Sequence, residues 1–349
     1  MSIIEALFFL GATCVLSFLG TRYLVSHPHA LDAPNHRSSH TEITPTGGGT
    51  AIVIIFLLGL WVALFMTSLS IWTIGILACA TLVMALTGWW DDQSHIAPKV
   101  RLLIQLICVL VTFAVVVEAV PVLRILDWQC DSVWLLVLII PAFLWWINLF
   151  NFMDGIDGIA SVEALCILVP AGLWLLIQGE QNWSFLIWVL SGAVLGFLLI
   201  NWPPAKIFMG DVGSASLGLL IGAFALSTSA LGYIELWSWL ILAAVFISDA
   251  TVVLVRRWGR GIVLSEAHRS HAYQILSRRW QSHRKVTLLV LAVNLIWLMP
   301  IAWLAQLQPG FGVFYMLLAY LPLVVLVWKL GAGSEVAASV IANKVKQAS

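Results

Sequence analysis

Residues 148–160 read NLFNFMDGIDGIA and join two apolar runs, 132–148 and 159–178. Runs of that length and character suit bilayer-spanning helices, which need about 20 mostly apolar residues, so the polar link is predicted to be a turn between two spans. A carboxylate at the centre of such a helix costs roughly 2.5–3.5 kcal/mol, so Asp154 and Asp157, with Asn148 and Asn151 at intervals of three, call for a function. Gly155 and Gly158 are expected to break the helix and let carboxylates and an amide converge as hard oxygen ligands, a set that suits Mg²⁺ and a substrate phosphate. The DGxDG pattern also occurs in calcium loops, but the regular ligand spacing of an EF-hand is absent.

The same reading extends along the chain. Of its 349 residues 61% are hydrophobic and only 10% charged, which excludes an ordinary soluble globular domain. Eleven apolar segments are predicted to span the membrane: 3–24, 47–67, 70–90, 100–118, 132–148, 159–178, 183–200, 214–232, 236–255, 286–306 and 311–329. The first has neither a basic start nor a small-residue cleavage site and is read as a retained span. With the N-terminus outside, 16 of the 17 Lys and Arg residues fall on the inner connections and tail, and Arg124 alone lies outside. The positive-inside rule then orients the chain N-out and C-in. The predicted fold is all-α, a polytopic integral membrane protein of ten or eleven transmembrane helices, with residues 1–330 as one catalytic domain and 331–349 as a cytoplasmic tail. The five cysteines suggest neither a disulfide framework nor a zinc site.

In this topology the chemistry gathers on the inner side. In GWWDDQSH, Asp91 and Asp92 are adjacent; two like charges about 4 Å apart repel by roughly 4 kcal/mol at an effective dielectric of 20, which a divalent cation or a shared proton relieves. Lys99 and Arg101 open the next span, where they can hold an anion against those acids or serve as snorkelling anchors. In NWPPAKIFMGDVGSASLG, Asp211 stands between Gly210 and Gly213 at a helix start, a place for a pyrophosphate on backbone N–H donors and a metal on the carboxylate. The last inner loop carries His268 and His271 at i and i+3 with Arg269 between them, so that one helix face presents both imidazoles to an anion. Zinc is the rival reading of that pair, and a basic amphipathic helix lying on the membrane is the plain one. LDAPNHRSSHTEITPTGGGTAI, with Arg37, His40 and Gly47 to Gly49, is read as a packing or lid feature with a phosphate contact.

Asp91–Asp92, NFMDGIDG at 151–158, IFMGDVGS at 207–214 and HRSH at 268–271, in this order and on these loops, resemble the polyprenyl-phosphate N-acetylhexosamine-1-phosphate transferases of glycosyltransferase family 4, which include the peptidoglycan translocase. The resemblance implies transfer of a sugar 1-phosphate from a UDP-N-acetylhexosamine to undecaprenyl phosphate, releasing UMP, in the bacterial cytoplasmic (inner) membrane. It implies Mg²⁺, with Mn²⁺ as a substitute, at Asp211 with Asn151 and Asp92. It places uracil or ribose contacts near Asp157, diphosphate contacts at His268 and His271, and Asp91, Asp92, Asp154 and Asp157 in the catalytic set. Lys99, Arg101 and Arg269 are then binding cations, although family members often carry Lys where Arg101 stands. LDAPNHRSSH and HRSHAYQ resemble the branch that starts O-antigen or capsule synthesis. The implied partners are the donor, the lipid acceptor, the bilayer and a second copy of the chain as a homodimer; no nucleic acid is implied. Two other classes compete. A cation-coupled transporter would place its acids near mid-bilayer, where only Glu163 and Asp249 lie, and would show a repeat. A lipid-binding scaffold would need no paired acids.

Overall fold

Apolar runs this long form helices because a bilayer offers backbone N–H and C=O groups no partner except one another. In the computed structural model, described here for residues 1–28, 30–32, 43–94, 96–117, 120–130, 132–262 and 268–334, each of the eleven expected segments corresponds to helical structure. They are α1 (Ile3–Ser26), α2 (Gly49–Met66), α3 (Ile71–Ser94), α4 (Pro98–Thr112, continued by a π-helical turn Phe113–Val117), α5 (Leu136–Phe152), α6 (Ile159–Ile177), α7 (Asn182–Asn201) and α8 (Gly210–Ala230). There follow α9 (Leu236–Leu242) with α10 (Ala244–Trp258), the short α11 (Ala272–Trp280), α12 (His283–Val293) running through a π-helical Asn294–Leu298 into α13 (Met299–Leu307), and α14 (Gly312–Lys329). Two antiparallel pairs of three-residue strands, β1 (Ala30–Asp32) with β2 (Thr44–Thr46) and β3 (Leu123–Ile125) with β4 (Trp128–Cys130), are the only strands among the described residues.

Nine helices among the described residues are long and apolar enough to cross a membrane, or ten if α9 and α10 form one span bent by 74°. The eleventh expected span, α5, has 17 residues and is a shorter apolar helix. The α9–α10 bend falls at Ala243, with no Pro or Gly to announce it.

Helices α7 and α8 are the most enclosed, whereas α1 and α14 turn most of their surface outward. Phe56, Phe150, Phe197, Phe224 and Phe246 fill the core. Helix α1 lies against α7, where the Ser17 hydroxyl donates to the Ala193 carbonyl at 2.6 Å. On the Gly47 to Gly49 stretch the packing expectation holds: the amides of Gly48 and Gly49 donate to the carbonyls of Phe208 and Met209, both at 2.9 Å. Of the tail, Gly331 to Ser334 pack back on the bundle, with Ala332 buried and its carbonyl accepting from Arg256 at 2.9 Å. The rest of the tail, with Lys344 and Lys346, and also Arg37, His40 and His95 lie outside the described residues.

Candidate active site at one end of the bundle

The C-terminal ends of α3, α5 and α7 and the N-terminal ends of α4, α6 and α8 meet at one end of the bundle, and the polar residues of the sequence motifs meet with them. Gly158 takes the left-handed conformation (φ 74°) that starts α6, a backbone state that favours glycine, so the 153–158 link leaves the helical path as expected. Of the residues spaced by three, Asn151 remains helical while Asp154 and Asp157 sit in the link. The link is anchored from three directions. Gly158 N–H donates to Asn201 Oδ1 at 2.9 Å, Ala205 N–H donates to Asp157 Oδ2 at 3.1 Å, and Thr287 Oγ1 donates to the Asp157 carbonyl at 2.9 Å. The other carboxylate oxygen, Asp157 Oδ1, is 3.1 Å from His283 Nδ1. A side chain at Gly155 would run into the Tyr273 hydroxyl, so that position needs glycine for space.

Asp91 and Asp92 are adjacent but face different partners. Asp91 Oδ2 pairs with Arg101 at 2.6 Å and its Oδ1 accepts from the Ile96 amide at 2.7 Å, closing the turn into α4. Asp92 Oδ1 accepts from the Asp211 amide at 3.2 Å, in the first turn of α8, where helix N-H groups are otherwise unpaired. Arg101 bridges Asp91 and Asp211, with the same nitrogen 3.4 Å from Asp211 Oδ2. Asn151 donates to Ser214 Oγ at 3.0 Å and so ties the end of α5 to the first turn of α8.

Asp92, Asn151, Asp154, Asp157 and Asp211 line a cavity of about 280 Å³, whereas Asp91 and Arg101 stand outside its lining and reach it through Asp211. Burial, and then the charges of Asp211, Asp92 and Asp157, push the Asp154 carboxyl up to about 7. Among the described residues no three His, Cys, Asp or Glu side chains form a ready metal cage. The acids and Asn151 in the wall offer carboxylate and amide oxygens, a hard set of the kind Mg²⁺ uses with one or two carboxylates, retained waters and substrate phosphates. The like-charge crowding that raises Asp154 is the condition a dication relieves.

Lys99 and Arg269 are exposed and do not line the cavity. His268 and His271 do not share a helix face. His268 lies in an irregular segment and His271 is the residue before α11, because the helix starts only at Ala272; the rings instead stack with centroids 4.9 Å apart. Burial, then the neighbouring His271 and Arg257, pull His268 down to about 4, so its imidazole is neutral at pH 7. His271 is buried and sits 3.3 Å from Asp249. The cavity also draws on Ser214, Asn201, Gln274 and His283, which the motifs did not single out. The pairing of His283 with Asp157 across 126 residues has no local signature.

The model of glycosyl transferase family 4 matches residues 73–229, a stretch that holds Asp91, Asp92, Asn151, Asp154, Asp157 and Asp211 and stops before His268. The phospho-N-acetylmuramoyl-pentapeptide-transferase of Streptococcus pneumoniae strain Taiwan19F-14 is 30% identical over 229 residues, covering 61% of this chain and 67% of that protein. The chain belongs to glycosyl transferase family 4. The same enzyme from strain Hungary19A-6 is 30% identical over 230 residues, with the same coverage of both chains. Family membership makes this chain a membrane phosphotransferase of cell-envelope synthesis, and its apolar helices make it a multi-pass protein of the bacterial inner membrane.

Proposed function

We propose that the protein transfers an N-acetylhexosamine 1-phosphate from its UDP-sugar to undecaprenyl phosphate, starting O-antigen or a related envelope polysaccharide on the cytoplasmic face. The observation that carries this reading is the convergence of Asp92, Asn151, Asp154, Asp157 and Asp211, from three separate connections, on one cavity at the end of an apolar bundle. An oxygen of the lipid phosphate attacks the β-phosphorus of the donor. The bond from that phosphorus to the bridging oxygen breaks, and UMP leaves with the electron pair. Catalysis of this kind depends on positioning and on neutralising charge, and the site is built for both.

Arg101 is the cation nearest the acids, and Asp91 orients it, so Asp91 acts on the lipid phosphate through that guanidinium. Asp92, on the cavity wall beside Asp211, serves the diphosphate side. Asp157 is held at both oxygens and fixes the link that carries Asp154. Mg²⁺, held by Asp211, Asp92 and Asn151 with Asp154 close by, would supply charge neutralisation at the diphosphate. The acceptor chain has a place as well: an apolar groove of about 320 Å³, with Trp145, Trp146, Leu149, Leu240 and Ile247 in its walls, lies along α5, the helix that ends at Asn151. Clustering of the acids at one end supports an enzyme over a transporter, which needs them near mid-bilayer.

Protein purified in detergent should release UMP from a UDP-N-acetylhexosamine only when undecaprenyl phosphate and Mg²⁺ are both present. Testing UDP-GlcNAc, UDP-GalNAc and their 6-deoxy relatives side by side then identifies the sugar. No UMP from any of them, together with cation-driven uptake in vesicles, would overturn the reading in favour of transport.

A further inference from the structure

Asp249 takes no part in the mechanism above, yet it is buried (3% exposed) on α10, near the end of the bundle that carries the site. An acid there must be satisfied by hydrogen bonds or a partner, and it is satisfied entirely by the start of α11. Asp249 Oδ1 accepts from the Ala272 amide at 2.9 Å and Oδ2 accepts from the Tyr273 amide at 3.2 Å. Both are first-turn N–H groups, which have no partner within the helix, and a carboxylate beside them is further favoured by the helix dipole. The same Oδ1 lies 3.3 Å from Nδ1 of His271.

The consequences reach in two directions. The His271 ring is fixed by the carboxylate at Nδ1 and stacked between His268 (4.9 Å) and Tyr273 (5.7 Å), so Nε2 is the ring nitrogen left to serve a ligand. Tyr273, whose backbone N–H donates to Asp249, donates its hydroxyl to the Phe152 carbonyl at 3.0 Å and fills the space over Gly155, next to Asp154. We propose that Asp249 is a positioning residue, which fixes the tautomer and orientation of His271 and the seat of Tyr273, and through Tyr273 the link that carries Asp154. This rests on the transferase reading for its kinetic consequence, but not for its structural one.

Asp249→Ala is the informative variant. It removes both oxygens and so releases His271 Nδ1 and the Ala272 and Tyr273 amides together, whereas an Asn oxygen in the Oδ1 position would keep Ala272 and His271. The rate of diethylpyrocarbonate modification at His271, mapped by mass spectrometry, should rise severalfold in Asp249→Ala and return toward wild type in Asp249→Glu. In turnover, Asp249→Ala should lower kcat tenfold or more, and because His271 and Tyr273 carry the effect between them, Asp249→Ala/His271→Ala/Tyr273→Phe should be no slower than His271→Ala/Tyr273→Phe. An unchanged modification rate, or losses that multiply when Asp249→Ala is added to the His271→Ala/Tyr273→Phe pair, would overturn the proposal. If the wild type fails to release UMP, the transferase reading falls, while the modification rates still decide whether Asp249 holds His271.

Discussion

Replacing Asp154 by Asn should remove a loss of stability that grows with pH in the metal-free protein. Burial and the charges of Asp211, Asp92 and Asp157 hold this carboxyl at about 7 instead of 3.8. Below 3.8 it is protonated in both the folded and unfolded states and contributes no difference. Between 3.8 and about 7 the unfolded chain gives up the proton first, so the folded state loses stability as pH rises, and above about 7 the loss is complete. The displacement corresponds to a cost of roughly 4 kcal/mol. His268 works the other way: held at about 4 against 6.5, it adds stability as pH rises from 4 to 6.5. The two effects oppose each other at acid pH, so the quantity to follow is the difference between variant and wild type, from which His268 cancels. The 19 tryptophans give a fluorescence melting curve in detergent. With a chelator present, Asp154→Asn should melt above wild type by a margin that grows up to about pH 7 and then levels off, reaching roughly 5 °C or more. Mg²⁺ should close the gap by stabilising the ionised wild type, and it should do so more at pH 8 than at pH 5.5, because binding then displaces no proton. A gap that is flat across pH, or a variant that melts below wild type at pH 8 without metal, would refute the crowded-carboxylate account.

Asp211→Asn should abolish Mg²⁺-dependent turnover while the melting curve in detergent stays cooperative, since it removes an oxygen ligand and little packing; unchanged activity and metal dependence would take Asp211 out of the metal site. Asp92→Asn should weaken both donor affinity and Mg²⁺ response, whereas Asp91→Asn, by freeing Arg101, should raise KM for the lipid acceptor and leave donor binding nearly intact; turnover should fall by roughly 10² to 10⁴ in each. Equal effects on both substrates would make the pair a single electrostatic unit. In a cysteine-free background, Gln93→Cys should resist a membrane-impermeant thiol reagent in intact cells and Asp127→Cys should react, because the positive-inside rule puts the site within; the opposite pattern would turn the site outward.

The spans were legible because twenty apolar residues in a row have few alternatives, and the link at 153–158 was legible because Gly155 and Gly158 interrupt such a run beside carboxylates. Asp92 and Asp211 also met as expected, since each ends or begins a span on the same side. Other features had no signature short enough to read. The α9–α10 bend at Ala243 occurs in an apolar stretch without Pro or Gly, so packing against neighbouring helices sets it. His268 and His271 look like a helical pair by spacing, but the helix starts one residue later, where Asp249 collects its first amides. His283 reaches Asp157, and Asn201 reaches Gly158, only through the tertiary fold. The three-residue strand pairs are too short for alternation to stand out from loop sequence.

The central claim is that a sugar and its phosphate move together, and donor labelled with ³²P at the β-phosphate tests it most directly. With purified protein, Mg²⁺ and undecaprenyl phosphate, the label should pass into the organic-extractable lipid in a one-to-one ratio with unlabelled UMP. Label that stays in the aqueous phase as UDP while the sugar moves to lipid, or label that never reaches the lipid at all, would contradict it.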